Sequence, residues 1–246
     1  TSPYTLSIPT IEVYESTYAG ATANTFKWAA RNPGSESNAI KVAIIDKGAD
    51  VTLTLNGALS VSTIGTQVVT AAASPGGSKS GYIYDWDSST NKVSLITSDT
   101  WDTTDDVENG VTDRNVTLVS DWYDNQVVYT GLPWSSIGPR PGTSPYVAAR
   151  GGANDEMHVV VYDSTGEITG TPNTLVEKHT YLSKANNART SQGAGSYYPQ
   201  AILDKSSFIY WGSHETDVYD VSANQGVTGG NIAGTGNAGS DSTCLL

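Results

Sequence analysis

A chain of 246 residues with 25 acidic and 13 basic side chains carries a formal net charge of −12, and a field of that sign repels phosphate backbones and anionic membranes. Direct nucleic-acid and membrane partners are therefore not expected. Hydrophobic residues make up 37% and glycines number 25, which together with many Thr, Val and Tyr predicts an α+β, β-rich fold of antiparallel or mixed sheets with hairpins and few short helices.

The length admits one large or two small domains. No apolar run approaches the roughly 18 residues of a spanning helix. The lone Cys244 cannot form an internal disulfide and lacks the partners of a reactive or metal-bound thiol.

In chain order, residues 1–23 read as an entering connector with a strand at 11–14. Phe26, Trp28, Ala29 and Ala30 form an apolar cluster that Asn32-Pro33-Gly34 breaks. Residues 39–45 predict a strand, with Ile40, Val42 and Ile44 on a well-buried face and Lys41, Ala43 and Ile45 on a mixed one. Residues 51–64 carry the strongest hairpin signal, since VTLTL and ALSVSTI flank Asn56-Gly57, a pair favoured where both turn residues need positive φ. A second hairpin is expected from 82–86 and 92–97 about Ser88-Ser89-Thr90-Asn91, with PGGSKSG at 75–81 as the loop between hairpins. Short strands follow at 116–119 and 126–129.

Pro139, Pro141 and Pro145 then predict a rigid extended run. Residues 157–162 form the clearest strand, and Asp163-Ser164-Thr165-Gly166 suits a tight turn. Residues 174–182 return as its partner, with Val176, Thr180 and Leu182 on one face. A helix competes there, because Leu175, His179 and Leu182 fit a 3.6 spacing; the preceding turn favours the strand. Residues 196–205 predict a short helix with Ser196 as cap and Pro199 in its first turn. Residues 207–211, SFIYW, read as a strand, and the glycines of 226–239 as a linker.

Four stretches also resemble a known family. KWAARNPGSESNAIKVAII at 27–45, NDEMHVVVYDSTGEITG at 154–170, TLVEKHTYLSKANNAR at 174–189 and GSYYPQAILDKSSFIYW at 195–211 are similar to the contractile tail sheath protein of T4-like phages, the cyanophage members especially. The middle of the chain, about 47–130, matches loosely. The resemblance implies residues 1–46 as the entering segment and first strand of the α+β sheath domain, 47–135 as a hairpin-rich insertion with an acidic loop, 136–225 as the rest of that domain and 226–246 as a linker. It implies a virion protein assembled in the host cytoplasm, not an enzyme and without a cofactor. Its partners would be copies of itself in hexameric rings of a helical sheath, the inner tail tube, and baseplate and terminator proteins. The opening TSPYTLSIP, the close CLL and the family's unmatched arm and carboxy-terminal domain lead us to expect a central fragment.

Among candidate chemical groups, the acids stand out: Asp99, Asp102, Asp105, Asp106, Glu108, Asp113, Asp121 and Asp124 face a single Arg114 between 99 and 124. Asp99, Asp102, Asp105 and Asp106 are weak calcium candidates, since they lack the alternate-position pattern with a central Gly and distal Glu. A solvated acidic loop is the expectation, and within a sheath Asp105, Asp106 and Glu108 would form a contact between subunits. His158, His179 and His214, the last near Glu215 and Asp217, lack the spacing of a zinc or hydrolytic site. Asp85 and Asp87 around Trp86, and Asp121 before Trp122, suggest a glycosidase pair, but 25 acids produce such neighbours by chance. Trp86, Trp101, Trp122 and Trp134 suggest either a sugar platform or core aromatics, the commoner use. The alternative function is thus a calcium-assisted glycan-binding module. GTGNAG in the tail follows no strand, and Asn115-Val116-Thr117 is too common a triplet to weigh alone.

Overall fold

The computed structural model describes residues 8–19, 24, 26–32, 34–70, 76–108, 113–128, 131–213 and 242–243. His214, Glu215, Asp217, the 226–239 linker and Cys244 lie outside them. The fold is α+β and β-rich, and the chain divides into two compact units. The first comprises Thr1–Asp46, Val128–Leu132 and Ile137–Leu246; the second comprises Lys47–Val127 and Pro133–Ser136.

In the first unit, β2 (Ile40–Asp46), β9 (Glu156–Asp163) and β10 (Thr174–Ser183) form an antiparallel sheet in the order β10-β9-β2, with β12 (Ser242–Thr243) on the outer edge of β2. β9 is central, and all its residues but Glu156 are buried, as the apolar run requires. β2 buries the expected face of Ile40, Val42 and Ile44, and the mixed face is buried as well apart from the partly exposed Lys41. A two-stranded ribbon of β1 (Trp28–Ala30) and β11 (Ile209–Trp211) and the helix α3 (Tyr198–Lys205) complete the layer. Their Trp28, Ala30, Tyr198, Ile202 and Ile209 join Ile40, Val42, Ile44, Met157, Val159, Val161 and Leu182 in one core.

The expected strand at 11–14 is α1 (Ile11–Thr17) instead. Thr10 caps it by accepting from the Val13 N–H, and its Tyr14 stacks on Tyr210 at 4.4 Å and donates to the Trp211 carbonyl at 2.7 Å. A single buried aromatic, Tyr14, anchors this two-turn helix, and four residues of alternation cannot be told from that by pattern. α3 begins one residue later than expected: its cap is Tyr197 with no side-chain bond, because the backbone of Ser196 is already engaged with Ala188 and Ser183. Pro145 does not extend the proline run but sits in the first turn of α2 (Pro145–Ala148).

The turn after β9 is wider than Asp163-Ser164-Thr165-Gly166, since β10 starts only at Thr174. Buried Asp163 organises it by accepting from the N–H groups of Gly166, Ile168 and Thr169 and from the Thr169 hydroxyl. Burial alone would raise its carboxyl, but these donors outweigh it and hold the pKa below the ordinary value. Gly166, at φ +84° with Pro172 packed against its missing Cβ, admits no other side chain without strain.

The second unit is a closed six-stranded barrel, in the order β3 (Val51–Leu55), β6 (Lys92–Ile96), β5 (Ser80–Asp87), β4 (Gln67–Thr70), β7 (Asp106–Glu108), β8 (Asp113–Asp121), and back to β3. Leu53, Leu55, Val68, Ile83, Val93, Leu95, Val107 and Val116 fill its interior with Leu59 and Trp101. The expected hairpin at 51–64 is not formed. β3 pairs with β6 and β8 on its two sides, neither Asn56 nor Gly57 has positive φ, and the Asn56 amide is bonded to Asn115 of β8 instead. Barrel closure gives β3 two partners from far along the chain, and Leu59 turns inward.

The second expected hairpin is formed by β5 and β6. Its turn places Asn91 at φ +52° and is held by Asp87, which accepts from the Ser89 hydroxyl, the Thr90 hydroxyl and the Ser89 N–H. Those donors pull its pKa down to about 2. Gly76 and Gly77 belong to the β4–β5 connection rather than to a loop between separate hairpins. Of residues 126–128, the described part of the short strand expected at 126–129, only Val127 makes a bridge, to Pro133. No helix among the described residues is long and apolar enough to cross a membrane.

Candidate functional site

The acidic tract is solvated only in part: Asp102, Asp113, Asp121 and Asp124 are exposed, as expected, but Asp105 is not. Asp105 is 1% exposed, and its Oδ2 accepts from Lys79 Nζ at 2.6 Å and from the Asp102 N–H at 2.7 Å. Lys79 also reaches Asp102 at 3.3 Å, Asp102 holds Thr104 through its N–H and hydroxyl, and Asp99 accepts from the Ser80 N–H. Burial opposes the Lys79 ammonium, yet the hydrogen bonds and charges of Asp105 and Asp102 prevail and raise its pKa. Asp106 and Glu108 lie in β7, half-exposed, opposite Asn115 and Asp113. Among the described residues no three His, Cys, Asp or Glu converge as a metal-holding group, Asp99, Asp102, Asp105 and Asp106 included. Asp102 and Asp105 therefore staple the barrel through one lysine, Lys79.

The tryptophans of the same unit are interior groups. Trp101, Trp122 and Trp134 are buried, Trp86 packs against the barrel core, and Trp122 meets Tyr84 edge-on at 5.6 Å. Gly48, at φ +57°, lies so close to the Trp122 ring that a Cβ there would overlap it. Of the histidines, His179 bonds Glu177 at 3.2 Å, and Glu177 in turn ties down the Ser206 hydroxyl and the Ser207 N–H. His158 is fully buried in β9.

A cleft of about 420 Å³ opens in the first unit, lined by Ser144, Pro145, Tyr146, Glu156, Tyr181, Arg189, Thr190, Ser191 and Ser196. Three elements frame it. The start of α2 is clamped by buried Asp155, which accepts from the Ser144 N–H at 2.7 Å, the Ser144 hydroxyl at 2.9 Å and the Ser183 hydroxyl at 2.5 Å. The β10 edge contributes Tyr181 at a bulge between His179 and Leu182. The 189–196 loop closes through the Arg189–Gly195 bridge and is tied to β10 by the bond from the Ser183 N–H to the Ser196 carbonyl.

Tyr181 has φ +56°, a left-handed conformation that costs a bulky residue on the order of 1–2 kcal/mol. His158 holds it there: Nδ1 accepts from the Tyr181 N–H at 3.1 Å, Nε2 faces the Pro139 carbonyl at 2.8 Å, and the two rings meet edge-on at 4.8 Å. The bulge also turns Thr180 toward Gly138 while Leu182 returns to the core. Half-buried Glu156 accepts from the Gly142 N–H through Oε2; burial raises its pKa, reinforced by the Asp155 charge. Its Oε1 makes no hydrogen bond among the described residues.

Glu156, Tyr181 and Arg189 were not singled out from the sequence. Only the β9–β10 pairing brings the first two together, and a bulge is invisible to a period-2 pattern. A comparison of the chain with family models, curated proteins and solved structures finds no match.

Proposed function

We propose that this chain is a structural subunit of a contractile phage tail sheath, polymerising around an inner tail tube and rearranging on contraction to drive genome delivery. On this reading it meets copies of itself in hexameric rings, the tube protein along the bore, and baseplate and terminator proteins at the ends. Its place is the virion tail, after assembly in the host cytoplasm. It works by shape and self-contact, and bond-making chemistry has no part in it.

One observation carries the reading. The four stretches that resemble sheath proteins, far apart in sequence, supply β1, β2, β9, β10, α3 and β11, and these share a single core. The intervening stretch, which resembles the family only loosely, folds by itself as a barrel. A body built from the resembling stretches, with the loosely resembling stretch inserted in it, suits a polymer whose stacking contacts must be kept while other surfaces vary.

Electron microscopy of the protein tests it: striated hollow tubes are expected, and particles that never polymerise at any salt or protein concentration would reject it. A contact role for the acidic tract is tested with Asp102, Asp106 and Glu108 changed together to Asn and Gln, sparing buried Asp105. Unchanged assembly and contraction would reject that role.

A further inference from the structure

The cleft of the first unit gathers polar groups that the fold itself does not consume. Glu156 Oε1 has no partner among the described residues, and Arg189 gives only Nη1, to the Gly193 carbonyl, leaving Nε and Nη2 open. Thr190, Ser191, Tyr146 and Tyr181 line the space, and their hydroxyls make no hydrogen bond among the described residues. Carboxylate and guanidinium do not pair with each other. Tyr181, 42% exposed, is held in its left-handed conformation by a buried histidine and lines the cleft. Backbone strain retained at an exposed aromatic that lines a cavity is a signature of a binding site.

We propose that this cleft binds a saccharide, with Tyr181 as the stacking face, Glu156 accepting from sugar hydroxyls, and Arg189, Thr190 and Ser191 donating to or bridging them. The space, about 420 Å³, suits one or two sugar rings. The mix of groups selects the ligand class. A phosphate or carboxylate ligand would gain from Arg189 but face Glu156, and an ammonium ligand would meet the reverse. A neutral polyol is served by both, since each of its hydroxyls donates and accepts. A tyrosine face suits the apolar side of a pyranose ring at little entropic cost. A rigid frame also favours a small ligand: Asp155 fixes α2, and the 189–196 loop is tied to β10, so little ordering is needed on binding. This site is separate from the tryptophans and acids of the barrel, and it does not depend on the chain being a sheath subunit.

The test uses the whole chain with glucose, galactose, N-acetylglucosamine and their β-linked disaccharides as probes, read by saturation-transfer NMR and calorimetry. Saturable binding in roughly the millimolar range or tighter is expected for at least one of them. Tyr181→Ala, Glu156→Gln and Arg189→Ala should each weaken it at least about tenfold, while thermal unfolding shows the variants folded. Asp124→Ala, in the other unit, should bind as the parent does. Absence of saturable binding by every probe overturns the proposal. So does binding that Tyr181→Ala and Glu156→Gln both leave intact, or a cleft that takes short peptides and no sugar.

Discussion

His158 illustrates how a single buried ring sets a protonation state by geometry. With Nδ1 accepting from Tyr181 N–H, the proton must be on Nε2, which donates to the Pro139 carbonyl; a second proton would aim N–H at N–H. Burial, the largest effect, holds its pKa below the ordinary value near 6.5. The unfolded chain therefore takes up a proton as pH falls through about 6.5 while the folded chain does not, so stability is full above that pH and declines below it, down to the folded pKa. The slope reaches at most about 1.4 kcal/mol per pH unit. Comparing denaturant unfolding near pH 7.5 and near pH 5.5 for the parent and His158→Gln checks this: the parent should lose more stability than the variant, and equal losses would remove His158 from the account. Asp163 gives a second expectation at this scale. Asp163→Ala removes the acceptor of three part-buried N–H bonds, from Gly166 and the exposed residues Ile168 and Thr169, and should cost about 1–3 kcal/mol, measured by the same unfolding curves; a loss under about 0.5 kcal/mol would contradict it.

At the scale of elements, what could be read from the sequence was what local chemistry decides. The β5–β6 hairpin, the apolar run of β9 and its return in β10 follow from alternation and from turn residues that act within a few positions, such as Asp87 and Asp163. What could not be read was set by distant partners. Asn56-Gly57 carries a strong local turn signal, yet β3 already has β6 and β8 on its sides, and the signal loses to closure of the barrel. Burial of Asp105 could not be read because Lys79 lies well upstream of it, and the cleft was hidden because it depends on a bulge and on residues of three elements. The staple yields a further expectation. Lys79→Met leaves Asp105 buried without its cation and should destabilise the barrel by about 3 kcal/mol, and Asp105→Asn in the same chain should restore part of that. A melting temperature unmoved by Lys79→Met would show that the pair contributes nothing.

At the scale of the whole chain, two units with separate cores imply separable unfolding. Calorimetry of Lys79→Met should lower one transition and leave the other in place, whereas Lys184→Met, which removes the buried ion pair with Asp46 at 3.0 Å in the first unit, should do the converse. One transition that both substitutions shift equally would instead make the chain a single cooperative body. The manner of insertion has a consequence for synthesis. All six strands of the barrel lie in one continuous run of sequence, so this unit can close while the ribosome is still at work. β2 and β1, made earlier, must wait for β9 and β11 to emerge, with the newborn Trp28, Ile40, Val42 and Ile44 unsheltered meanwhile. The first-made stretch is thus the last to be buried, and a truncated chain ending at residue 140, free of the ribosome, should resist protease through the barrel while remaining open to cleavage before Lys47.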